Sequence, residues 1–215
     1  APRVTFTDPQ VAAVGYTLEQ VRGRHHSMFV TKEEAASSDY KEFWAKLARG
    51  EYQASQFLRM AADGGELWIE ASYNPVLDAG GRPLKVIKFA TVITAQKNRE
   101  ADMAGQLGAI RKAMAVIEFS LDGTILDANE NFLAVTGYSL AEIKGQHHGM
   151  FCEPAYRNSP EYRGFWQKLG RGEYDAGQYL RLGKGGREVW IQASYNPIFD
   201  AKGQPTKVVK YATDI

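Results

Sequence analysis

Two adjacent histidine pairs, His25-His26 and His147-His148, are the residues of this sequence best suited to chemistry. Imidazole ligates metal ions and haem iron and titrates near neutral pH. Neighbouring positions on a helix point about 100° apart, so at most one member of each pair faces an interior pocket. His26 and His148 are the candidates, and a histidine that caps a helix or packs in a core is the alternative. Trp44 and Trp166, on predicted helices, and Trp68 and Trp190, on predicted strands, have faces that stack on a flat ligand or simply fill a core. Asn74 and Asn196, each followed by proline, are placed to hydrogen-bond a ligand or to satisfy backbone groups at a bulge. The single thiol, Cys152, lies four residues past His148 and reads as a buried, inert side chain.

The elements that position these residues come in two copies. Gly23-Arg24-His25-His26-Ser27-Met28-Phe29 returns as Gly145-Gln146-His147-His148-Gly149-Met150-Phe151, and Trp68 to Pro75 return as Trp190 to Pro197, both at an offset of 122 (147 − 25 and 190 − 68). Gly15-Tyr16-Thr17-Leu18 and Lys88-Phe89-Ala90-Thr91 recur at that same offset, so no insertion separates the copies. Within each copy short helices come first. Ser139-Leu140-Ala141-Glu142 is a capping-box pattern, matched by Thr17 in the first copy, and Ser159-Pro160 opens a helix with Tyr162, Phe165, Trp166 and Leu169 at helical spacing. Three strands joined by glycine-rich turns follow: Asp175 to Leu182, Glu188 to Ile198 and Lys207 to Ile215. The second copy is preceded by two more strands, Met114 to Phe119 and Thr124 to Asn129. Ala95 to Lys112 lacks proline and carries apolar residues at spacings of three and four, which predicts a joining helix.

Composition narrows the function classes. Among 215 residues, 44% are apolar and 24% charged, ordinary for a packed protein. The balance of 26 basic against 25 acidic side chains leaves +1, too little field to gather nucleic acid or anionic lipid. Apolar runs are short and broken by lysine, which argues against a bilayer span. One cysteine and no apolar leader stretch set the expectation of a cytoplasmic protein. The sequence holds no phosphate-binding loop, nucleophile elbow, metal-ligand spacing or kinase signature, so no enzymatic activity is expected.

The Asp122 to Phe132 run, the Gly137 to Gly145 helix and the Trp190 to Pro197 strand together resemble PAS domains, with most likeness to the paired PAS modules of bacterial chemotaxis transducers. The resemblance implies an α+β architecture of two PAS folds, each a five-stranded antiparallel sheet with flanking helices around a small cavity. It divides the chain into an atypical segment 1–14, a first domain 15–94 lacking its two N-terminal strands, a helical linker 95–112 and a second domain 113–215. It implies a sensory, non-catalytic role in ligand sensing and dimerisation, upstream of a signalling domain outside these residues. A homodimer and a small-molecule ligand are the expected partners, with no nucleic acid and no membrane.

In that family pattern His148 lies about where light-sensing members carry a flavin-reactive cysteine, so covalent flavin photochemistry is not expected. Haem-binding members often supply a histidine from the long helix, and Tyr162 to Leu169 contain none. The expectation is therefore no bound cofactor, with FAD or haem as alternatives, and the cofactor-facing candidates are His26, Trp44, Trp68, Asn74, His148, Trp166, Trp190 and Asn196. Val4 to Val14 do not match their offset partners and resemble instead a stretch of the interface domain of mercuric reductase-like disulfide oxidoreductases. A fusion remnant is the reading of that likeness, with no flavin-disulfide chemistry inferred. The missing strands predict an open sheet edge, covered by Arg3-Val4-Thr5-Phe6 or by a second chain.

Overall fold

The structure is a computed structural model that describes residues 3–5, 12 and 14–215. It divides into two compact units, Ala1–Met103 and Ala104–Ile215. The second is the more complete. Strands β5 (Ala115–Phe119) and β6 (Ile125–Ala128) lead into α5 (Glu130–Thr136), α6 (Leu140–Ile143), a 3-10 turn (His148–Phe151), α7 (Pro154–Arg157) and α8 (Pro160–Gly170). Strands β7 (Asp175–Leu182), β8 (Glu188–Phe199) and β9 (Pro205–Asp214) complete an antiparallel sheet of order β6-β5-β9-β8-β7.

Local chemistry sets these boundaries. The Asn129 side chain accepts from the Phe132 amide at 3.0 Å to open α5, and Gly137, at φ +78°, ends it in a conformation that costs other residues strain. Ser159 caps α8 with Pro160 at its first position, where a missing N–H is harmless. Tyr162, Phe165, Trp166 and Leu169 of α8 then pack against Ile191, Ala193 and Tyr195 of β8, and Phe119 of β5 closes the same core.

The first unit repeats this plan with fewer parts. It comprises β1 (Arg3–Thr5), α1 (Leu18–Val21), a 3-10 turn (His26–Phe29), α2 (Lys32–Ala36), α3 (Ser38–Ala48), β2 (Gln53–Met60), β3 (Glu66–Leu77) and β4 (Pro83–Val92). Its elements from α1 to β4 have counterparts displaced by 122 residues, apart from a one-residue difference where α2 and α7 end. Among the described residues one of the two predicted missing strands has a replacement. β1 pairs in parallel with β4, Val4 opposite Val86, and so takes one of the two places, giving the order β1-β4-β3-β2. Phe6, the last residue of the expected substitute strand, lies outside the described residues. Between the units runs α4 (Thr94–Ala113), two residues longer than predicted. Among the described residues no helix is long and apolar enough to cross a membrane.

Candidate functional site

The histidine pairs divide their labour, as adjacent positions must. His147 Nδ1 accepts the Gly149 amide at 3.1 Å, and its Nε2 donates to the Asp122 carbonyl at 2.8 Å, so this ring caps the 3-10 turn and ties it to the β5–β6 turn. His25 caps the first unit's turn likewise, its Nδ1 accepting from the Ser27 amide at 3.2 Å. His26 and His148 turn inward and are 4% and 0% exposed.

Each inward histidine is held between two tyrosine hydroxyls. In the second unit Tyr162 of α8 lies 2.8 Å from His148 Nδ1, and Tyr195 of β8 lies 3.0 Å from Nε2. In the first unit Tyr40 of α3 and Tyr73 of β3 stand at 3.1 and 3.0 Å from His26. Arg181 Nη2 also donates to the Tyr195 hydroxyl, at 3.1 Å. Either tautomer of His148 satisfies both hydroxyls, because a phenol can accept as well as donate. Trp166 closes against the imidazole edge, with ring centres 5.5 Å apart, as Trp44 does for His26 at 5.3 Å. Cys152 Sγ is 3.8 Å from His148 Nδ1 and buried, as its sequence context suggests.

Burial governs the charge states. It holds His148 well below its usual pKa, helped by Arg181 and Lys210, and pushes His26 down to about 2, helped by Arg59 and Lys88. Burial raises Tyr195 to about 12 and raises Cys152. It also lowers Lys88 to about 8 and holds Lys210 well below the usual lysine range, in each case reinforced by the neighbouring arginine. Burial opposes the charge on Arg181 too, but Tyr195 and Cys152 hold its pKa above the ordinary value. The second cluster is therefore built from neutral imidazole, phenol and a guanidinium that stays charged.

The eight sequence candidates do not converge on one pocket. His26, Trp44, His148 and Trp166 gather on the inner faces. Trp68, Asn74, Trp190 and Asn196 lie at alternate strand positions whose side chains point to the other face of the sheet, where Trp190 is 50% exposed. There Asn74 donates to Ser72 Oγ at 3.0 Å and to the Ile87 carbonyl at 3.3 Å, and Asn196 does the same to Ser194 Oγ and the Val209 carbonyl. Sequence reasoning passed over Arg59, Lys88, Arg181 and Lys210, which share the inner faces with the histidines. Their signal was a basic residue preserved at the 122 offset in the middle of a strand.

Neither alternative cofactor fits the second core. Haem ligation through His148 needs a free imidazole nitrogen, and both of its nitrogens face tyrosine hydroxyls. The cavity beside Arg181 and Lys210 has about 10 Å³, near the size of one water, against hundreds for a flavin. In the first unit a groove of about 710 Å³ reaches Arg59, but Glu33, Glu34, Asp39 and Glu42 line it and oppose a phosphate-bearing cofactor. Among the described residues no cluster of His, Cys, Asp and Glu could hold a metal ion.

Comparison with known proteins agrees with this architecture. The PAS fold family matches residues 4–90 and 125–212, so Val4 to Val14, with their likeness to an oxidoreductase stretch, fall inside a PAS match. The biofilm dispersion protein BdlA of Pseudomonas aeruginosa is 46% identical over 94% of this chain, and the oxygen sensor protein DosP of Escherichia coli is 24% identical over 99%. The chain spans 48% of the first relative's length and 27% of the second's. A crystal structure of the PAS domain of a protein from Colwellia psychrerythraea covers 53% of this chain and is itself covered over 96%, at 23% identity and a TM-score of 0.46. The chain therefore belongs to the PAS fold family, which it carries twice, and tandem PAS domains are typical of sensory and signal-transduction proteins.

Proposed function

We propose that this chain is a sensory relay in which a change in the polar core of a PAS unit is passed along the sheet to α4, and α4 pairs with its equivalent in a second copy. The observation that carries the reading is the surface of α4. None of its side chains is buried, yet Met103, Leu107 and Ile110 are 64%, 53% and 39% exposed at spacings of four and three. That spacing is one seam of a short two-stranded coiled coil. The helix starts two residues after β4 and ends two residues before β5, so strand movement in either unit reaches it without a long loop between. The names of the relatives, a biofilm dispersion protein and an oxygen sensor, support a sensory role. Output falls to the parts of such proteins beyond the span matched here. The cytoplasm is the compartment that suits one reduced, buried thiol.

Light scattering tests this. The chain is expected at the mass of two copies at micromolar concentration, and Met103→Glu with Leu107→Glu is expected at the mass of one, with its circular dichroism unchanged. A wild-type chain at the mass of one copy would overturn the pairing.

A further inference from the structure

A groove of the first unit is bridged by side chains at the matching place in the second. It lies between α3 and the edge strand β2, holds about 710 Å³, and has the rings of Tyr40, Phe43 and Phe57 among its walls. In the second unit Tyr156 packs edge-on against Tyr162, with ring centres 5.4 Å apart. Lys168 of α8 donates to Asp175 at 2.7 Å, and Tyr179 of β7 donates to the same carboxylate at 2.5 Å, so a chain of hydrogen bonds crosses from helix to strand. The first unit has Glu34 for Tyr156, Gln53 for Asp175 and Phe57 for Tyr179, each at the 122 offset. Glu34 turns to Arg59 at 3.0 Å, and Gln53 Nε2 donates to the Tyr52 carbonyl at 2.7 Å. Among the described residues no side-chain hydrogen bond then joins Lys46 to β2.

The groove is charged as well as open. Glu33 and Glu42 stand where the second unit has Ala155 and Gly164 (155 − 33 = 122; 164 − 42 = 122). Glu33, Glu34, Asp39 and Glu42 line it against Lys46 and Arg59, which leaves it negative. Arg59 answers Glu34 and Arg49 answers Glu42, at 3.0 Å each, whereas no cation among the described residues pairs with Glu33 or Asp39. The aromatic floor already holds one cation, since the Arg59 guanidinium carbon lies 4.6 Å from the centre of the Phe57 ring. These carboxylates do not converge on a point: among the described residues no such cluster could hold a metal ion.

We infer that this groove binds an aliphatic polyamine, its hydrocarbon chain along Phe43 and Phe57 and its ammonium groups toward Glu33 and Asp39. Separated carboxylates beside an aromatic floor match charges spaced along a carbon chain, and do not match a metal ion. The volume lies within the range of roughly 300–1,000 Å³ usual for small-molecule sites. The inference concerns the first unit alone and stands apart from the pairing of α4.

The test is calorimetric titration of the full chain with spermidine at fixed ionic strength, with hexaamminecobalt(III), of like charge and without a carbon chain, as the control. Spermidine is expected to bind saturably and to raise the unfolding temperature of the first unit by about 4–8 °C at roughly five times its dissociation constant. Glu33→Gln with Asp39→Asn, both at exposed positions, should weaken binding about tenfold or more. Gln53→Asp with Phe57→Tyr, which supplies the second unit's crossing chain, should weaken it about as much although it adds a carboxylate; attraction to charge alone would strengthen it. No saturable heat with spermidine, equal binding of the cobalt complex, or undiminished affinity in either double variant would overturn the site.

Discussion

The two units place the same side chains around an inward histidine, and they close that cluster differently. A 3-10 turn, the long helix and three strands are common to both, and from them come His26, Tyr40, Trp44, Arg59, Tyr73 and Lys88 in one unit and their counterparts in the other. What differs is the cover. The second unit has β5, β6 and α5, which bring Phe119 to 5.3 Å from His148 and bury Lys210 to 1% exposure. Among the described residues the first unit has the short parallel β1 at that edge, and Lys88 is half-buried. The comparison separates two roles: shared elements fix the geometry of the polar cluster, and unshared ones decide how much water its charges see. Depth is thus adjustable without disturbing the hydrogen bonds at its centre.

The sharpest way to expose this difference is at Gly183 and its counterpart Ala61. A Cβ on Gly183 would sit 2.7 Å from the Thr136 carbonyl at the end of α5, a backbone atom that cannot easily yield. Gly183→Ala should therefore cost about 1–3 kcal/mol. Ala61→Gly, at the matching place in the first unit, should cost no more than about 1 kcal/mol. Urea unfolding of the two variants measures both, and equal losses would break the claim that the end of α5 constrains the turn at Gly183.

Acid should treat the units alike, because His26 and His148 are both buried with lowered pKa values. Unfolded histidine takes up a proton below about pH 6.5 and the buried rings do not, so stability present above that pH is lost as the pH falls toward the folded values. Each unit is expected to lose about 1.4 kcal/mol between pH 7.5 and 5.5. Substituting phenylalanine for His148 should flatten the pH dependence of the second unit and leave that of the first; thermal melts across this range decide it. The smallest effect concerns the ion pair the second unit lacks. Glu34→Gln should cost the first unit under about 1 kcal/mol in urea unfolding, since the carboxylate is 39% exposed.

Much of this architecture was legible in the residues. The 122-residue offset needed no structure, and capping by Thr17, Ser139 and Ser159 marked helices that form where expected. Geometry at the histidines was half legible: steric phase said that one ring of each pair turns inward, but not that tyrosines from a helix and a strand would meet it. Trp68, Trp190, Asn74 and Asn196 were misgrouped with those rings because composition records that a residue is aromatic or polar, whereas strand parity decides its face. Lys88 and Lys210 carry the complementary lesson. In a run such as Lys85-Val86-Ile87-Lys88, a basic residue looks like a break in a hydrophobic strand until Val86 is known to face the core, which places Lys88 on the same side. The parallel pairing of β1 had no local signature at all, because three residues carry no register of their own.

One consequence of Cys152 remains. The chain has a single thiol, it lies in the second unit against His148, and its counterpart in the first is Val30. A reagent that reacts with sulfhydryls therefore keeps time for one half of the molecule only: each modification event records an opening of the second unit, while openings of the first leave no mark.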